Sequence, residues 1–279
     1  MAPARIPDCS TRFLVAKVEE VWLLRSPGER QRSRTVNGQP DRVAGVLLGL
    51  ATGDRNGGPI QMALCLAESL DQRSCFDLDD VWSRYRGWWQ SGASDTGPIF
   101  ARVMTLADAG LTRRQAALQV HAETGQQTAG CNPAHRCAPL AMLPGLDSKE
   151  VARSAEQEAQ LTHRHPLAGD AAAAVATLCS ELIRGMDWDA ALEVAAQGRL
   201  HEVQAALATN NGAALNRGGY APDVLAAAVY LVGSSGSLTA ALERAVRFAG
   251  PANYAPVLVG SLGGARWGAS SITAQQLQH

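Results

Sequence analysis

Three glycines at four-residue spacing place the strongest constraint on the fold of this sequence. Gly45, Gly49 and Gly53 recur in the apolar segment RVAGVLLGLATG. Residues four positions apart share one face of an α-helix. Each glycine costs a helix about 1 kcal/mol relative to alanine, so three on one face indicate tight packing against another backbone. Asp41 is expected to cap this helix, because its carboxylate can accept hydrogen bonds from the first free N–H groups.

The remainder of the chain is also patterned for helices. Aromatic residues make up only 5% of the sequence, so alanine, leucine and valine must fill the core. From residue 41 onward there is no alternating Val-, Ile- or Thr-rich run of strand type. Ser148 is expected to cap the helix KEVARSAEQEAQL. The predicted fold class is all-α, with an N-terminal extension at residues 1–40 and one helical domain at residues 41–279.

Charge, hydropathy and cysteine content exclude several classes of function. The formal net charge of −1 and the isoelectric point near 6.6 indicate no basic surface for nucleic acid or an anionic membrane. No apolar run approaches the roughly 18 residues of a membrane span, and the first residues lack the pattern of a signal peptide. We therefore expect a cytoplasmic protein. Cys131, His135 and Cys137 share a loop, but three ligands without a C-x-x-C pair are a weak zinc signal.

Polar residues in the loops between helices are the candidates for chemistry. Asp54 follows the glycine-bearing helix, where the helix dipole disfavours an anion. It either caps the turn or has a compensating partner such as Arg55, a cation or a ligand. Asp95, in SGASDTGP, is either a helix cap or a general base on a loop held by rigid helices. His163 and His165 diverge by roughly 200° on a regular helix, so they are not expected to share a metal.

The order of these segments resembles the ADP-ribosylglycohydrolase family, which includes the dinitrogenase reductase-activating glycohydrolases. Over residues 41–270 the chain contains, in order, GVLLGLATGD, a Q-M-A-L helix, D-T-G, G-x-x-x-x-x-R-x-x-P, T-H-x-H-P, G-G-Y-x-P-x-x-L-x-A-A and GSLGGARWG. The resemblance implies a compact, orthogonal multi-helix fold. It also implies a central cleft with two Mg²⁺ ions, in which a glycosidic bond to ADP-ribose is cleaved.

The sequence departs from the family where the metals should bind. Gly57, Gly58 and Pro59 stand where the resemblance places a Thr-Asp-Asp run, and residues 251–254 (Pro-Ala-Asn-Tyr) replace Asp-x-Asp-Thr. Magnesium requires oxygen ligands, chiefly carboxylates. Glycine and proline side chains offer none, and one asparagine cannot hold two ions. We therefore predict that the dinuclear centre is lost and that the protein uses no cofactor.

The resemblance still implies a ligand site at the positions that match. It makes Asp95 a general base or a substrate-positioning carboxylate, and Asp54 would orient this carboxylate or the attacking water. His135 or His163 would bind a phosphate or protonate the leaving group. The substrate-binding residues predicted in this way are Thr96, Gly97, Gly130, Asn132, His135, Arg136, His163, Asn253 and Tyr254.

The function predicted is a metal-independent glycoside hydrolase that cleaves an N-glycosidic bond, since one carboxylate can stabilise an oxocarbenium-like state or activate water. The substrate would be a nucleotide-derived small molecule, for example of secondary metabolism, or an ADP-ribosylated protein. Two alternatives stay open. One is a pseudoenzyme or ligand-binding module, and the other is a conventional hydrolase whose metals are held by Asp54, Asp79, Asp80 and Asp95.

Overall fold

The computed structural model describes residues 38–273 and residue 276. Within them the fold is all-α, as predicted, and contains no β-strand. The thirteen α-helices of this part are α1 (Gln39–Gly53), α2 (Gly58–Arg73), α3 (Leu78–Gln90), α4 (Pro98–Asp108), α5 (Arg113–Glu123), α6 (Asn132–Arg136), α7 (Ser148–Ala159), α8 (Pro166–Ile183), α9 (Trp188–Ala196), α10 (His201–Leu207), α11 (Ala221–Gly233), α12 (Leu238–Ala249) and α13 (Tyr254–Trp267). Residues 1–37 of the predicted extension lie outside the described residues.

The glycines of α1 pack against α13 in a glycine seam, formed by Gly45, Gly49 and Gly53 of α1 with Gly260 and Gly264 of α13. A Cβ added to Gly49 would lie 2.2 Å from the carbonyl oxygen of Gly260, and one added to Gly45 would lie 2.2 Å from that of Gly264. These distances leave no room for a side chain at the seam positions of either helix. The prediction of tight contact between two backbones is therefore confirmed.

Helix α8 runs through the centre of the fold. It is rich in alanine, and all its residues after Pro166 are buried. It packs against α7, α9, α6, α11 and α13. By length and composition α8 could cross a membrane, so the expectation that no such run exists is wrong. Its apolar residues are buried among other helices, however, which is the environment of a core helix.

Two of the predicted helix caps are wrong. Helix α1 begins at Gln39, so Asp41 lies in its first turn, and its carboxylate accepts hydrogen bonds from the backbone and hydroxyl of Ser270 instead. Helix α7 is capped by Asp147, which forms a capping box with Glu150. Ser148 donates its hydroxyl to Glu181. Asp147 and Ser148 are both good caps, and the reciprocal bond from Glu150 selects the first of them.

Candidate active-site cavity

The interhelical loops surround a cavity of about 480 Å³. All the predicted site residues line it except Asp54 and Arg136. Other wall residues, which were not predicted, are Asn56, Pro59, Pro98, Ile99, Phe100, Cys131, Gly219, Pro251 and Ala252. A volume of this size is typical of small-molecule sites. The cavity is therefore the candidate functional site.

Asp95 lies in the loop between α3 and α4. Its backbone is in the left-handed region, with φ of 51°, which aspartate tolerates better than most residues. The loop presses on the start of α2, since a Cβ at Gly58 would be 2.1 Å from the carbonyl oxygen of Asp95. Helix α4 is instead preceded by Gly97, without a side-chain cap. Asp95 therefore does not cap α4, and its carboxylate instead accepts a hydrogen bond from the backbone of Gly58, the first residue of α2.

Burial is the main factor that raises the pKa of Asp95 above 3.8, and the charge of Asp54 raises it further. Donors of Asn56 and Gly58 act in the opposite direction. Among the residues that the structure describes, Asp95 is the only carboxylate on the cavity wall. A partly desolvated carboxylate with a raised pKa is a stronger base than an ordinary one, which suits it to proton abstraction.

Asp54 lies behind the wall rather than on it. One of its carboxylate oxygens accepts the backbone N–H groups of Asn56 (3.1 Å) and Gly57 (3.0 Å) and the side-chain amide of Asn253 (2.7 Å). The other accepts the N–H of Ile60 at 2.8 Å. Three of these donors share one oxygen and the fourth bonds the other, so the carboxylate is engaged by its own loop and by Asn253. Asp54 therefore holds the loop before α2, and its role in orienting Asp95 or the attacking water stays a prediction.

Asp54 belongs to a set of contacts between the α1–α2 and α12–α13 loops that we term the loop clasp: Asp54, Arg55, Asn253 and the carbonyls of Gly250 and Ala252. The backbone N–H of Arg55 donates to Asn253 Oδ1 at 3.1 Å. Its guanidinium donates to the carbonyl of Gly250 at 2.9 Å and to that of Ala252. Asn253 therefore contacts the opposite loop with both ends of its amide, and Arg55 contacts it with both backbone and side chain.

The residues present do not fit the dinuclear magnesium centre implied by the resemblance. Gly57, Gly58 and Pro59 provide no side-chain oxygen, and the oxygens of Asp54 and Asn253 are already hydrogen-bonded within the loop clasp. No group of three or more His, Cys, Asp or Glu side chains in the described part of the chain could hold a metal. The Cys131–His135–Cys137 loop is therefore no zinc site either.

The alternative metal ligands Asp79 and Asp80 lie at the start of α3, away from the cavity wall. Asp79 pairs with Arg113. Asp80 contacts Arg84 at 2.7 Å and Arg73 at 3.1 Å, and the hydrogen bond from Arg84 is the main cause that lowers its pKa to about 2. Both carboxylates neutralise arginines and do not join Asp95 in a metal site.

His135 is buried in the wall beside Tyr254. Its Nε2 lies 3.0 Å from the carbonyl oxygen of Tyr254, and the two rings are nearly parallel, with centroids 6.4 Å apart. Burial lowers the pKa of His135 to about 4, although the charge of Asp54 acts against this. The imidazole is therefore neutral near pH 7 and donates to a backbone carbonyl. It can contact a ligand, but it is not placed to protonate a leaving group.

Arg136 is fully buried behind the wall, which corrects its predicted contact with the substrate. Its Nε donates to Glu158 at 2.6 Å, and Tyr85 donates to the same carboxylate oxygen at 2.8 Å. The guanidinium lies 5.2 Å from the ring centroid of Tyr85 and 5.8 Å from that of Phe100. A buried charge needs such a partner and hydrogen bonds to compensate its desolvation. Arg136 is therefore a structural cation beneath the cavity.

Arg136 fixes two parts of the wall through intermediates. It donates to the side-chain oxygen of Asn132, whose amide group donates to the carbonyl of Thr96 at 3.0 Å, next to Asp95. It also donates to the hydroxyl of Thr162 at 3.0 Å, which lies 2.8 Å from His163 Nδ1. The network that supports the wall thus begins at the buried ion pair.

His163 is held as a neutral donor by this network. Burial is the first cause that lowers its pKa well below 6.5, and the charge of Arg136 is the second. Thr162 accepts from Arg136, and when its hydroxyl hydrogen is donated to His163 Nδ1 the ring proton lies on Nε2. A Cβ at Gly130 would be 3.3 Å from that Nε2. His163 can therefore donate one hydrogen bond to a ligand at the cavity wall.

Sequence reasoning missed Glu158, Tyr85 and Thr162. One signal was available for Glu158. It lies on the same helical face as Val151 and Ala155, which are buried, and a carboxylate on an apolar face needs a buried partner. Its partner Arg136 could not be identified from the pattern, because the pairing is set by how α6 meets α7.

Comparison with known proteins agrees with this architecture. The family model for ADP-ribosylglycohydrolase matches residues 59–279. A solved structure described as an ADP-ribosylglycohydrolase-related protein complex is similar, with 25% sequence identity and a TM-score of 0.65, over 85% of this chain and 91% of that one. No curated protein matches the chain.

Proposed function

Because the chain belongs to the ADP-ribosylglycohydrolase family, we propose that it is a glycoside hydrolase that cleaves an N-glycosidic bond of an ADP-ribosyl or other nucleotide-derived substrate without a bound metal. The observation that carries the proposal is Asp95, a carboxylate with a raised pKa on the wall of the cavity. A metal-free reaction is supported by the loop clasp, which uses the oxygens that magnesium would need.

In the proposed reaction Asp95 accepts a proton from a water molecule as that water attacks the anomeric carbon. The bond from this carbon to nitrogen breaks, and the nitrogen leaves with the electron pair. The transition state has oxocarbenium character, which a nearby carboxylate also stabilises. His163 Nε2 and the amide of Asn132 are placed to bind ligand oxygens, since both side chains line the cavity.

The wall also suggests which leaving group is suitable. No second carboxylic acid lies on the described wall, and the lowered pKa values of His135 and His163 keep both imidazoles neutral. A leaving nitrogen that is already cationic in the substrate departs without protonation by the protein. A pyridinium N-glycoside or a protonated guanidine N-glycoside of ADP-ribose is therefore the class of substrate to test first, the first as a small molecule and the second on a small molecule or a protein.

The test is hydrolysis in EDTA. Purified protein is expected to release the free base or amine from one of these compounds, and Asp95→Asn is expected to reduce kcat/KM by about 10²–10⁴-fold, the usual contribution of a general base. Asp71→Asn, an exposed aspartate of α2, serves as the matched control and should retain activity. Loss of activity in EDTA with recovery in Mg²⁺ would overturn the metal-free proposal.

The pH profile should carry the signature of Asp95. Because the base must be ionised, kcat/KM is expected to fall as the pH decreases through an apparent pKa above 3.8, the direction in which burial moves this group. Since the ionised form is the one that burial disfavours, Asp95→Asn should not reduce stability at neutral pH. A variant that loses activity only because it unfolds would contradict this assignment.

A ligand-binding pseudoenzyme is the second candidate, favoured by the position of Asp54 behind the wall, where it is hydrogen-bonded to its own loop and to Asn253, and by the single carboxylate among the described wall residues. Calorimetric titration with ADP-ribose, followed by incubation over days, separates the two. Binding without release of product would support the pseudoenzyme. Turnover that depends on Asp95 would support the hydrolase.

A further inference from the structure

The geometry points to the loop clasp as the positioning element of the cavity: we infer that Arg55 and Asn253 join the two loops that a metal centre would otherwise join. The inference deepens the proposed function and rests on the cavity being the active site. It concerns positioning residues, since Arg55 does not line the cavity and Asn253, which does, uses both ends of its side-chain amide within the clasp.

The first support is the number of contacts between loops that are distant in the sequence. The side-chain amide of Asn253 donates to Asp54 at 2.7 Å and accepts the backbone N–H of Arg55 at 3.1 Å. The Arg55 guanidinium adds the carbonyls of Gly250 and Ala252. Asn253 is only 8% exposed, so its polar atoms would be costly to leave without partners.

The second support is where the clasp lies. Asn56 and Pro59, on one side of it, line the cavity, as do Ala252 and Tyr254 on the other. Asp54 also accepts the N–H of Ile60 in the first turn of α2. A change in the clasp must therefore shift both sides of the wall together.

The third support is charge. The Asn253 amide donates to Asp54, and the neighbouring Arg55 brings its guanidinium cation to the carbonyls of Gly250 and Ala252 on the opposite loop. A cation bound at Asp54 would have to displace the hydrogen bond from Asn253 and would add to the positive charge that Arg55 already brings to these loops. The clasp thus performs the joining function of a metal and also excludes one.

The first test is thermal unfolding of the whole protein without any ligand. The melting temperature of the wild type is expected to be unchanged between EDTA and millimolar Mg²⁺. Asn253→Asp should lower the melting temperature by about 5 °C, because a second carboxylate then faces Asp54 in place of the amide that donated a hydrogen bond to it. Part of this loss should be recovered in Mg²⁺, since the substitution removes the donor and adds an oxygen ligand.

The same variant should respond to pH. The new carboxylate would face Asp54, with Arg55, Asp95 and His135 as the other charged or titratable groups nearby. Like charges raise the pKa of the pair in the folded state. The stability of Asn253→Asp should therefore be closest to that of the wild type at acidic pH. It should fall below that of the wild type as the pH rises through the raised pKa. A variant whose stability relative to the wild type does not change with pH would contradict the contact between position 253 and Asp54.

The second test uses Arg55 and a binding readout. Arg55→Ala should weaken ADP-ribose binding on the order of fivefold, the equivalent of about one lost hydrogen bond, and Arg55→Lys should restore part of it. Arg102→Ala, which breaks an exposed ion pair with Glu123, is the matched control and should leave binding unchanged.

The outcomes separate this inference from the proposed function. A wild type stabilised by Mg²⁺ would overturn the clasp, as would Asn253→Asp and Arg55→Ala variants that melt like Arg102→Ala. If the protein does not bind ADP-ribose, the proposed substrate class fails, while the melting and pH measurements still decide whether the clasp joins the loops.

Discussion

Helices α1 and α13 are joined by two contrasting regions, the glycine seam along their length and the loop clasp at their ends. The seam contains no polar side chain, and its backbones are in direct contact. The clasp is built from side-chain hydrogen bonds and is partly exposed to solvent. Close packing is intolerant of added volume, whereas hydrogen bonds to solvent-accessible groups contribute little net free energy. Stability should therefore depend on the seam, and the shape of the site on the clasp.

The largest effect is expected from breaking the seam. A Cβ at Gly260 would lie 2.0 Å from the carbonyl oxygen of Gly49, and neither backbone can move without displacing its whole helix. Gly260→Ala should reduce the free energy of unfolding by roughly 3 kcal/mol or more, measured by urea denaturation. Gly38→Ala, where an added Cβ has no neighbour within 4 Å, is the control. Equal stability of the two variants would show that the seam is not the main stabilising contact between α1 and α13.

The buried ion pair between Arg136 and Glu158 gives a third case to compare with the seam and the clasp. Glu158→Gln leaves the buried Arg136 without its ionic partner, and we expect a loss of about 2–3 kcal/mol. The same variant should weaken ADP-ribose binding, because Arg136 supports Asn132 and Thr162. Glu123→Gln, at an exposed ion pair, should cost less than about 1 kcal/mol. A Glu158→Gln variant as stable as this control would show that burial adds nothing to the contact.

In the clasp, a substitution should affect ligand binding more than it affects stability. Asn253→Ala removes two hydrogen bonds but leaves Asp54 with three donors, so the loss of stability should be about 1–2 kcal/mol. Ligand binding should suffer more, relative to that loss, than in Glu158→Gln. Calorimetry and urea denaturation on the two variants provide the comparison. If stability and ligand affinity fall in the same ratio in Asn253→Ala as in Glu158→Gln, the clasp has no special role in positioning.

The smallest loss of stability is expected at Gly57, where the cost of backbone strain can be measured without crowding. Gly57 has φ of 90°, yet a Cβ there meets nothing within 4 Å. Gly57→Ala should therefore cost only the left-handed conformation, about 1 kcal/mol. This is less than the cost at Gly260, where φ is ordinary and the space is filled. A larger loss than in Gly260→Ala would mean that conformation, and not volume, is limiting near the clasp.

The sequence was sufficient for the fold class and for much of the cavity wall. Glycines at helical spacing require a close partner wherever that partner lies in the chain, so Gly45 and Gly49 predicted the seam. The resemblance to the family predicted that Asp95, Asn132 and His163 share one ligand site, and all three line the cavity.

What the sequence could not provide is the identity of long-range polar partners. One of the four donors to Asp54 is the side-chain amide of Asn253, 199 positions away. Arg136 was assigned to the ligand because its position matches the family motif, but its depth is set by the packing of α6 against α7. Even the local choice between Asp147 and Ser148 as a cap was decided by a reciprocal bond to Glu150.

The seam also has a consequence for how the protein is made. Its two helices lie at opposite ends of the described chain, so α1 leaves the ribosome roughly 200 residues, or about 10–40 s of synthesis, before α13 exists. During that interval the glycine face of α1 has no partner. Final closure is thus a late, high-contact-order step of folding, and nascent chains that stop before α13 present an open helix face to chaperones and proteases.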